Sequence, residues 1–128
     1  MKLTLPDFRF VSFHDSPVRS IEESLTGVRI VFDFGMLRPP LIDGLGQWRL
    51  IDCSLECVGV QRSEKEEWSD TVIAKPHSTP ERPLEEVSHE EIVGGCLQLS
   101  GFTQSKCWGV WRIAAQEFVL TWKARHEH

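Results

Sequence analysis

Residues 28–34 have the sequence VRIVFDF, and this stretch decides the fold class of the chain. Large apolar side chains occupy every second position, which is the period expected of a strand with one face in the core. The core-facing positions are Val28, Ile30, Phe32 and Phe34. We therefore predict a strand here, with these four side chains on its buried face.

The residues just before this stretch predict its partner strand. The segment Val18–Leu25 leads into a Thr-Gly pair, and glycine tolerates the positive φ that tight turns require. A two-residue loop would place Ile21 opposite Phe32 and Leu25 opposite Val28. The sequence therefore predicts a β-hairpin.

Similar patterns predict further strands along the chain. The segment Trp48–Val60 places Ile51, Cys53, Leu55 and Cys57 on one face and Asp52, Ser54 and Glu56 on the other. Three runs rich in aromatic and β-branched residues predict a C-terminal meander, with strands at Leu97–Phe102, Cys107–Ile113 and Glu117–Ala124.

One short helix is predicted between residues 88 and 95. Ser88 and Glu91 have the spacing of a capping box, in which each side chain bonds to the backbone amide of the other residue. Gly94 and Gly95 would end the helix.

Length and composition predict one domain over residues 1–128. A chain of this length buries roughly two-thirds of its surface on folding, and its contents of 41% hydrophobic and 26% charged residues are typical of globular domains. We predict a single all-β domain, an antiparallel β-sandwich or a curled sheet or barrel of about seven or eight strands.

The acidic residues of the chain are concentrated in one region. The net charge is −5, and the segment Glu64–Glu91 alone has nine acids against three bases. Such a surface repels nucleic-acid phosphates and attracts a basic protein, although a merely solvated surface is the alternative. The acids that we assign to a partner-binding surface are Glu64, Glu66, Glu67, Asp70, Glu85, Glu86, Glu90 and Glu91.

A Gly- and Pro-rich loop over residues 35–47 is the second candidate contact surface. It contains Met36, Leu37, Leu41 and Ile42, and exposed apolar clusters often mark interaction sites. The alternative is that these side chains cover the open end of the sheet.

Motifs for catalysis and for metal binding are weak. His14, Asp15 and Ser16 are consecutive, so on an extended chain they point to alternating faces and cannot form a hydrolase triad. Cys53 and Cys57 lie about 13 Å apart on a strand, too far to share a metal ion or form a disulfide. We expect reduced core thiols, no catalytic residues, no metal and no cofactor.

The N-terminal region offers no apolar core for a signal peptide, because Pro6, Asp7 and Arg9 interrupt it. No stretch approaches the roughly 18 to 20 apolar residues that cross a bilayer. We therefore expect a cytoplasmic protein without membrane or nucleic-acid partners. A homodimer formed through an exposed strand edge is also compatible with the sequence.

The opening of the chain resembles a loose group of small bacterial β proteins. Phe13-His14-Asp15-Ser16 and the strand Val28–Phe34 match the start of that group, and Trp111–Trp122 is similar to its closing strand. Some members are placed among the immunity proteins of polymorphic-toxin systems. The resemblance implies a β-sandwich or curled sheet and a non-enzymatic role.

These observations favour a protein-binding module, in the form of an immunity protein that neutralises a basic toxin through its acidic surface. Two alternatives stay open. One is a small-ligand-binding domain with a pocket among Trp48, Trp108, Trp111 and Trp122. The other is a hydrolase of unfamiliar type, in which His14 would meet a distant carboxylate or thiol in a cleft.

Overall fold

A computed structural model describes residues 1–68 and 74–127, and antiparallel strands dominate this part of the chain. A 3-10 helix spans Leu5–Phe10. The ten strands of the described residues are β1 Lys2–Leu3, β2 Val11–Ser12, β3 Ser16–Glu23, β4 Gly27–Leu37, β5 Trp48–Trp68, β6 Ala74–Pro76, β7 Glu86–Val93, β8 Cys96–Phe102, β9 Trp108–Thr121 and β10 Ala124–Glu127. The all-β prediction is confirmed, with somewhat more strands than predicted.

Six of these strands form a closed ring of hydrogen-bonded pairs, which we call the barrel. Its order is β3–β4–β5–β9–β8–β7, and β7 returns to pair with β3. The last contact is short, because only Ser16 with Val87 and Pro17 with Glu86 are paired there. The four shorter strands extend the sheet beside β4, β5 and β9.

Strand β5 joins the two halves of the barrel. Its first half pairs with β4 up to Val58, and its residues from Ser54 to Trp68 pair with β9. The strand turns at Gly59, whose φ of 65° suits glycine and whose missing Cβ leaves room for the Gln116 side chain. Strand β5 therefore pairs with β4 along one edge and with β9 along the other, and the two pairings overlap over residues 54–58.

Aromatic and aliphatic side chains fill the interior of the barrel. Phe13 and Phe32 stack with ring centroids 4.2 Å apart, and Leu55, Leu99 and Trp111 are fully buried around them. The indole Nε1–H of Trp111 donates a hydrogen bond to Ser63 Oγ at 2.9 Å. Trp111, the largest fully buried side chain, is thus packed in the core and has a hydrogen-bond partner for its indole N–H.

The predicted helix over residues 88–95 is wrong, because these residues form the end of β7 and a turn. Val93 pairs with Cys96, and Gly94 and Gly95 between them have φ values of 55° and 78°. Two consecutive positive φ angles are typical of the type I′ hairpin turn. The Gly-Gly pair therefore reverses a strand instead of ending a helix.

The predicted hairpin of β3 and β4 exists, but its register differs by two residues. Ile21 faces Ile30, and Leu25 lies fully exposed at the tip of the turn. The turn begins earlier than predicted because Ser24 Oγ accepts the N–H of Gly27 at 3.1 Å. The C-terminal runs also differ, since Cys107–Ile113 and Glu117–Ala124 belong mostly to the single strand β9.

The predicted alternation of β4 and β5 changes phase in the middle of both strands. Phe34 and Ile51 are only half-buried, whereas Leu37 and Leu50 are fully buried. The change coincides with the positive φ of 51° at Asp52. A left-handed residue rotates the strand, so Leu50 faces the core on one side of Asp52 while Cys53 and Leu55 keep the predicted alternation on the other.

Candidate functional site

The outward face of β7, β8, β9 and β5 carries a row of aromatic side chains. Phe102 is paired with Trp108, which is paired with Trp68, and directly opposed residues of antiparallel strands share a face. The rings of Phe102 and Trp108 meet edge to face at 5.6 Å, yet these residues remain 45% and 38% exposed. We call Phe102, Trp108 and Trp68 the aromatic row.

A polar ladder runs across the same face beside the aromatic row. Gln98 donates to Glu91 at 2.9 Å and accepts from Arg112 Nε at 2.9 Å. Arg112 in turn donates to Glu66 at 2.6 Å and lies 3.9 Å from Glu64. Glu86 flanks the other side of the row, opposite Phe102. We call the aromatic row together with Glu64, Glu66, Glu86 and Glu91 the outer wall.

The other predicted acidic residues are not on the outer wall. Glu85 pairs with Arg82 on the segment before β7. Glu90 lies opposite the buried Leu99, so its side chain is on the inner face of β7. Asp70 is outside the described residues. The acidic segment is therefore divided among several environments.

Glu67 is buried at the end of the barrel in a satisfied polar cluster. Ser78 Oγ lies 3.1 Å from both carboxylate oxygens, and His77 Nε2 is 3.8 Å away. His77 Nδ1 accepts the N–H of Thr79 at 3.0 Å, so its Nε2–H donates to the Pro83 carbonyl at 2.8 Å. Both ring nitrogens are occupied by the backbone, which gives the cluster a structural role.

The apolar segment over residues 35–47, which begins within β4, mainly covers the barrel. Leu37 and Ile42 are buried, and Met36 and Leu41 are half-buried. Leu37 and Ile42 are therefore not accessible to a partner. Within this loop, Leu45 is fully exposed instead.

A cleft opens on the side of the barrel formed by β2, β4 and β5. A cavity of about 400 Å³ is lined by Ser12, His14, Phe34, Met36, Arg38, Gln47, Arg49 and Glu90. A depression of about 620 Å³ continues from it and shares Arg38 and Gln47. The depression adds Arg9, Phe10, Pro39, Leu45 and Gly46 to the lining. We call the two together the arginine cleft.

His14 and Glu90 both line this cleft and have perturbed acidities. The His14 imidazole donates from Nδ1 to the Ser88 carbonyl at 2.6 Å and has Nε2 3.3 Å from Asp15, and these contacts raise its pKa. Burial raises the pKa of Glu90, although its carboxylate accepts the N–H of Phe13 at 3.1 Å. The structure thus brings His14 to the same cleft as a distant carboxylate.

The tripeptide His14-Asp15-Ser16 forms a turn. The N–H of Ser16 donates to the Phe13 carbonyl at 2.9 Å, and Asp15 has a positive φ of 62°. Ser16 is buried, and its Oγ accepts the N–H of Phe34 at 3.2 Å. Ser16 is therefore separated from the exposed His14 ring.

The four cysteines are free thiols, and three of them are buried. Burial raises the pKa of Cys53 and of Cys57 to about 12. Both are therefore protonated at neutral pH, and the thiolate is the reactive form. In the part of the chain that the structure describes, no group of three His, Cys, Asp or Glu side chains could hold a metal ion.

The tryptophans named in the small-ligand alternative occupy separate places. Trp48 and Trp122 meet edge to face at 6.3 Å, with Arg125 over the Trp48 ring. Trp108 belongs to the aromatic row, and Trp111 is fully buried. The four indoles therefore do not line one common pocket.

Comparison of the chain with family models, curated proteins and solved structures gave no match. Among the described residues, no helix has the length and apolar character needed to cross a membrane.

The sequence identified part of the outer wall and missed the arginine cleft. Four of the predicted acids lie on the wall, but of its aromatic row only Trp108 was considered, as part of a possible ligand pocket. The cleft is assembled from distant segments, and its lining residues Met36, Arg38, Gln47 and Arg49 belong to the loop over residues 35–47 and its flank. Met36 and Glu90 were among the predicted contact residues, but the sequence did not indicate that they share a cleft with arginines.

Proposed function

We propose that the protein is a non-enzymatic binding module whose outer wall docks a basic protein partner. The observation that carries this proposal is the exposure of Phe102 and Trp108 on a sheet face bordered by carboxylates. Exposed aromatic residues supply large contact areas at little cost in side-chain entropy, and they are enriched at the centres of protein interfaces. The wall combines such a centre with a charged rim.

Charge complementarity supports a basic partner. The wall has four carboxylates, and Arg112 and Arg62 balance them only in part, on the Glu64 and Glu66 side. Glu86 and Glu91 lie towards the β7 side of the wall. Separate lysine or arginine side chains of the partner would meet these two carboxylates, and a further one would stack on the Trp108 ring.

The resemblance to a group of small bacterial β proteins, some of them placed among immunity proteins, favours a bacterial toxin with a basic active site as this partner. An immunity protein of this kind acts in the cytoplasm, where the thiols described above stay reduced. Binding over the basic site would exclude the substrate of the toxin. No reaction by the immunity protein itself is needed.

The experiment measures association and dissociation rates with the product of the adjacent gene or with a partner recovered by pull-down from the native host. We expect Trp108→Ala to weaken binding about tenfold or more, mainly through faster dissociation. Glu86→Lys combined with Glu91→Lys should slow association, and more strongly at low salt than at high salt.

Glu22→Lys combined with Glu56→Lys is the matched control, because it makes the same charge change at exposed positions of β3 and β5 away from the wall. It should leave both rates nearly unchanged. A folded Trp108→Ala protein that binds as tightly as the wild type would contradict the proposed docking surface. Equal slowing by the control would assign the effect to net charge alone.

A further inference from the structure

We propose that the arginine cleft is a second and separate binding site, which takes a small molecule carrying a phosphate monoester group. The site lies on the side of the barrel built from β2, β4 and β5, and it shares no lining residue with the outer wall. This inference is independent of the protein-binding role.

The arginines of the cleft differ from most others in the chain. Arg19, Arg62, Arg82, Arg112 and Arg125 each contact a carboxylate. Arg9, Arg38 and Arg49 make no ion pair with a carboxylate within residues 1–68 and 74–127. The cleft therefore gathers guanidinium groups whose charge the protein leaves uncompensated.

Contacts within the cleft orient these groups. Arg38 donates to the Arg9 carbonyl at 2.6 Å, and this bond fixes one end of its guanidinium. The guanidinium of Arg49 lies 4.6 Å from the centre of the Phe34 ring. A guanidinium held in this way keeps free N–H groups for a ligand and loses less entropy on binding.

The balance of charge and shape indicates the chemical class of the ligand. The cavity is lined by the guanidinium groups of Arg38 and Arg49 and the ring of His14 against one lining carboxylate, that of Glu90, and Asp15 lies beside His14. Arg9 adds a third guanidinium in the adjoining depression. A phosphate monoester carries a charge of about −1.5 to −2 at neutral pH, and its oxygens match the guanidinium fork. Phe34, Met36 and Phe10 offer apolar contacts to the organic part.

The size of the cleft favours a small molecule. Its two parts, of about 400 Å³ and about 620 Å³, each lie within the range of roughly 300 to 1,000 Å³ that is typical of small-molecule pockets. The net charge of −5 disfavours the extended backbone of a nucleic acid.

Calorimetric titration of the full chain with phenyl phosphate tests the proposal, with inorganic phosphate and benzoate as comparison probes. We expect saturable binding of phenyl phosphate, weaker binding of inorganic phosphate and weakest binding of benzoate. Amide chemical shifts should change at Ser12, His14 and Gln47. Absence of saturable binding at millimolar concentrations would overturn the proposal, and so would benzoate binding as tightly as phenyl phosphate.

Substitutions of the cleft arginines test whether phenyl phosphate binds in the arginine cleft. Arg49→Gln and Arg38→Gln should each weaken binding of phenyl phosphate about tenfold or more, because each removes a charged hydrogen-bond donor. Arg49→Lys keeps the charge without the planar fork and should give an intermediate loss. Arg29 also lacks a carboxylate partner in the described part of the chain, but it lies outside the cleft and bonds to Ser54.

Arg29→Gln is therefore the matched control and should leave binding unchanged. Thermal unfolding checks that each variant is folded. If all the variants and the control bind phenyl phosphate equally, the arginine cleft is not the site.

Discussion

The outer wall and the arginine cleft differ in how their charges are brought together. The wall draws its carboxylates from one acidic segment of the sequence, and Arg112 and Arg62 partly neutralise them. The cleft draws its arginines from separate places in the chain, and the described structure gives them no carboxylate partner. A run of like charges in a sequence therefore does not by itself make a charged surface. The strand alternation and the barrel decide which charges meet.

The largest losses of stability should come from substitutions in the barrel interior, which supports both surfaces. Phe32→Ala and Leu55→Ala each remove a fully buried side chain, so we expect the free energy of unfolding to fall by about 2–5 kcal/mol. Arg29→Ala and Glu56→Ala, at exposed positions of the same strands, should change it by about 0.5 kcal/mol or less. Urea denaturation measures all four. Similar losses in both pairs would contradict the assignment of inner and outer faces.

Substitutions of two neighbouring acids in the acidic segment should lower the free energy of unfolding by different, intermediate amounts. Glu67→Ala removes the acceptor of the Ser78 hydroxyl inside the barrel end, and we expect a loss of about 1–3 kcal/mol. Glu66→Ala removes an ion pair with Arg112 on the outer wall, and we expect a loss of about 1 kcal/mol or less. Denaturant titration of the two variants in one buffer gives the comparison directly. If Glu66→Ala were the more costly change, the division between inner and outer acids would be wrong.

The smallest expected effect is the pH dependence of stability that comes from Glu90, the carboxylate that lines the arginine cleft. Burial raises the pKa of Glu90 above its ordinary value of 4.5, so the folded protein binds this proton more tightly than the unfolded chain does. The stability that comes from this difference is present below pH 4.5 and is lost as the pH rises through the raised pKa. Glu90→Gln cannot lose a proton. The stability of this variant relative to the wild type should therefore increase over that interval.

Unfolding free energies of the wild type and of Glu90→Gln, measured from about pH 4 to about pH 8 in steps of about one pH unit, would reveal this trend. A constant difference across the range would mean that Glu90 has the same pKa in the folded and unfolded states. A difference that decreases with pH would mean that the folded protein stabilises the ionised carboxylate, and the cleft would then have less positive charge to offer a ligand.

The sequence predicted the features that depend on local alternation. The strands at Val28–Phe34 and Trp48–Val60 and the burial of Cys53, Leu55 and Cys57 are all present. Alternation is a property of neighbouring residues, so a sequence displays it directly. The phase change at Asp52 was not predicted, because a positive φ at aspartate leaves no mark in the pattern of side chains.

Features that depend on distant pairing were not predictable in the same way. The sequence of residues 88–95 is compatible both with a helix capping box and with a Gly-Gly hairpin turn. Only the pairing of β7 with β8 decides between the two. The arginine cleft required β2, β4, β5 and β7 to meet before its residues could share a lining. The outward direction of Trp108 likewise depends on the register of β9 with β8.

The pairing of β5 with β9 has a consequence for how fast the chain can fold. Ser54 pairs with Thr121 and Trp68 with Trp108, so this interface joins the middle of the chain to its end. The entropy of closing so long a loop must be lost before any of these contacts forms, and proteins dominated by such distant contacts fold in milliseconds to seconds. The hairpins of β3 with β4 and of β7 with β8 can form early from local contacts. The barrel closes only after β9 pairs with β5, so its closure follows the formation of these hairpins.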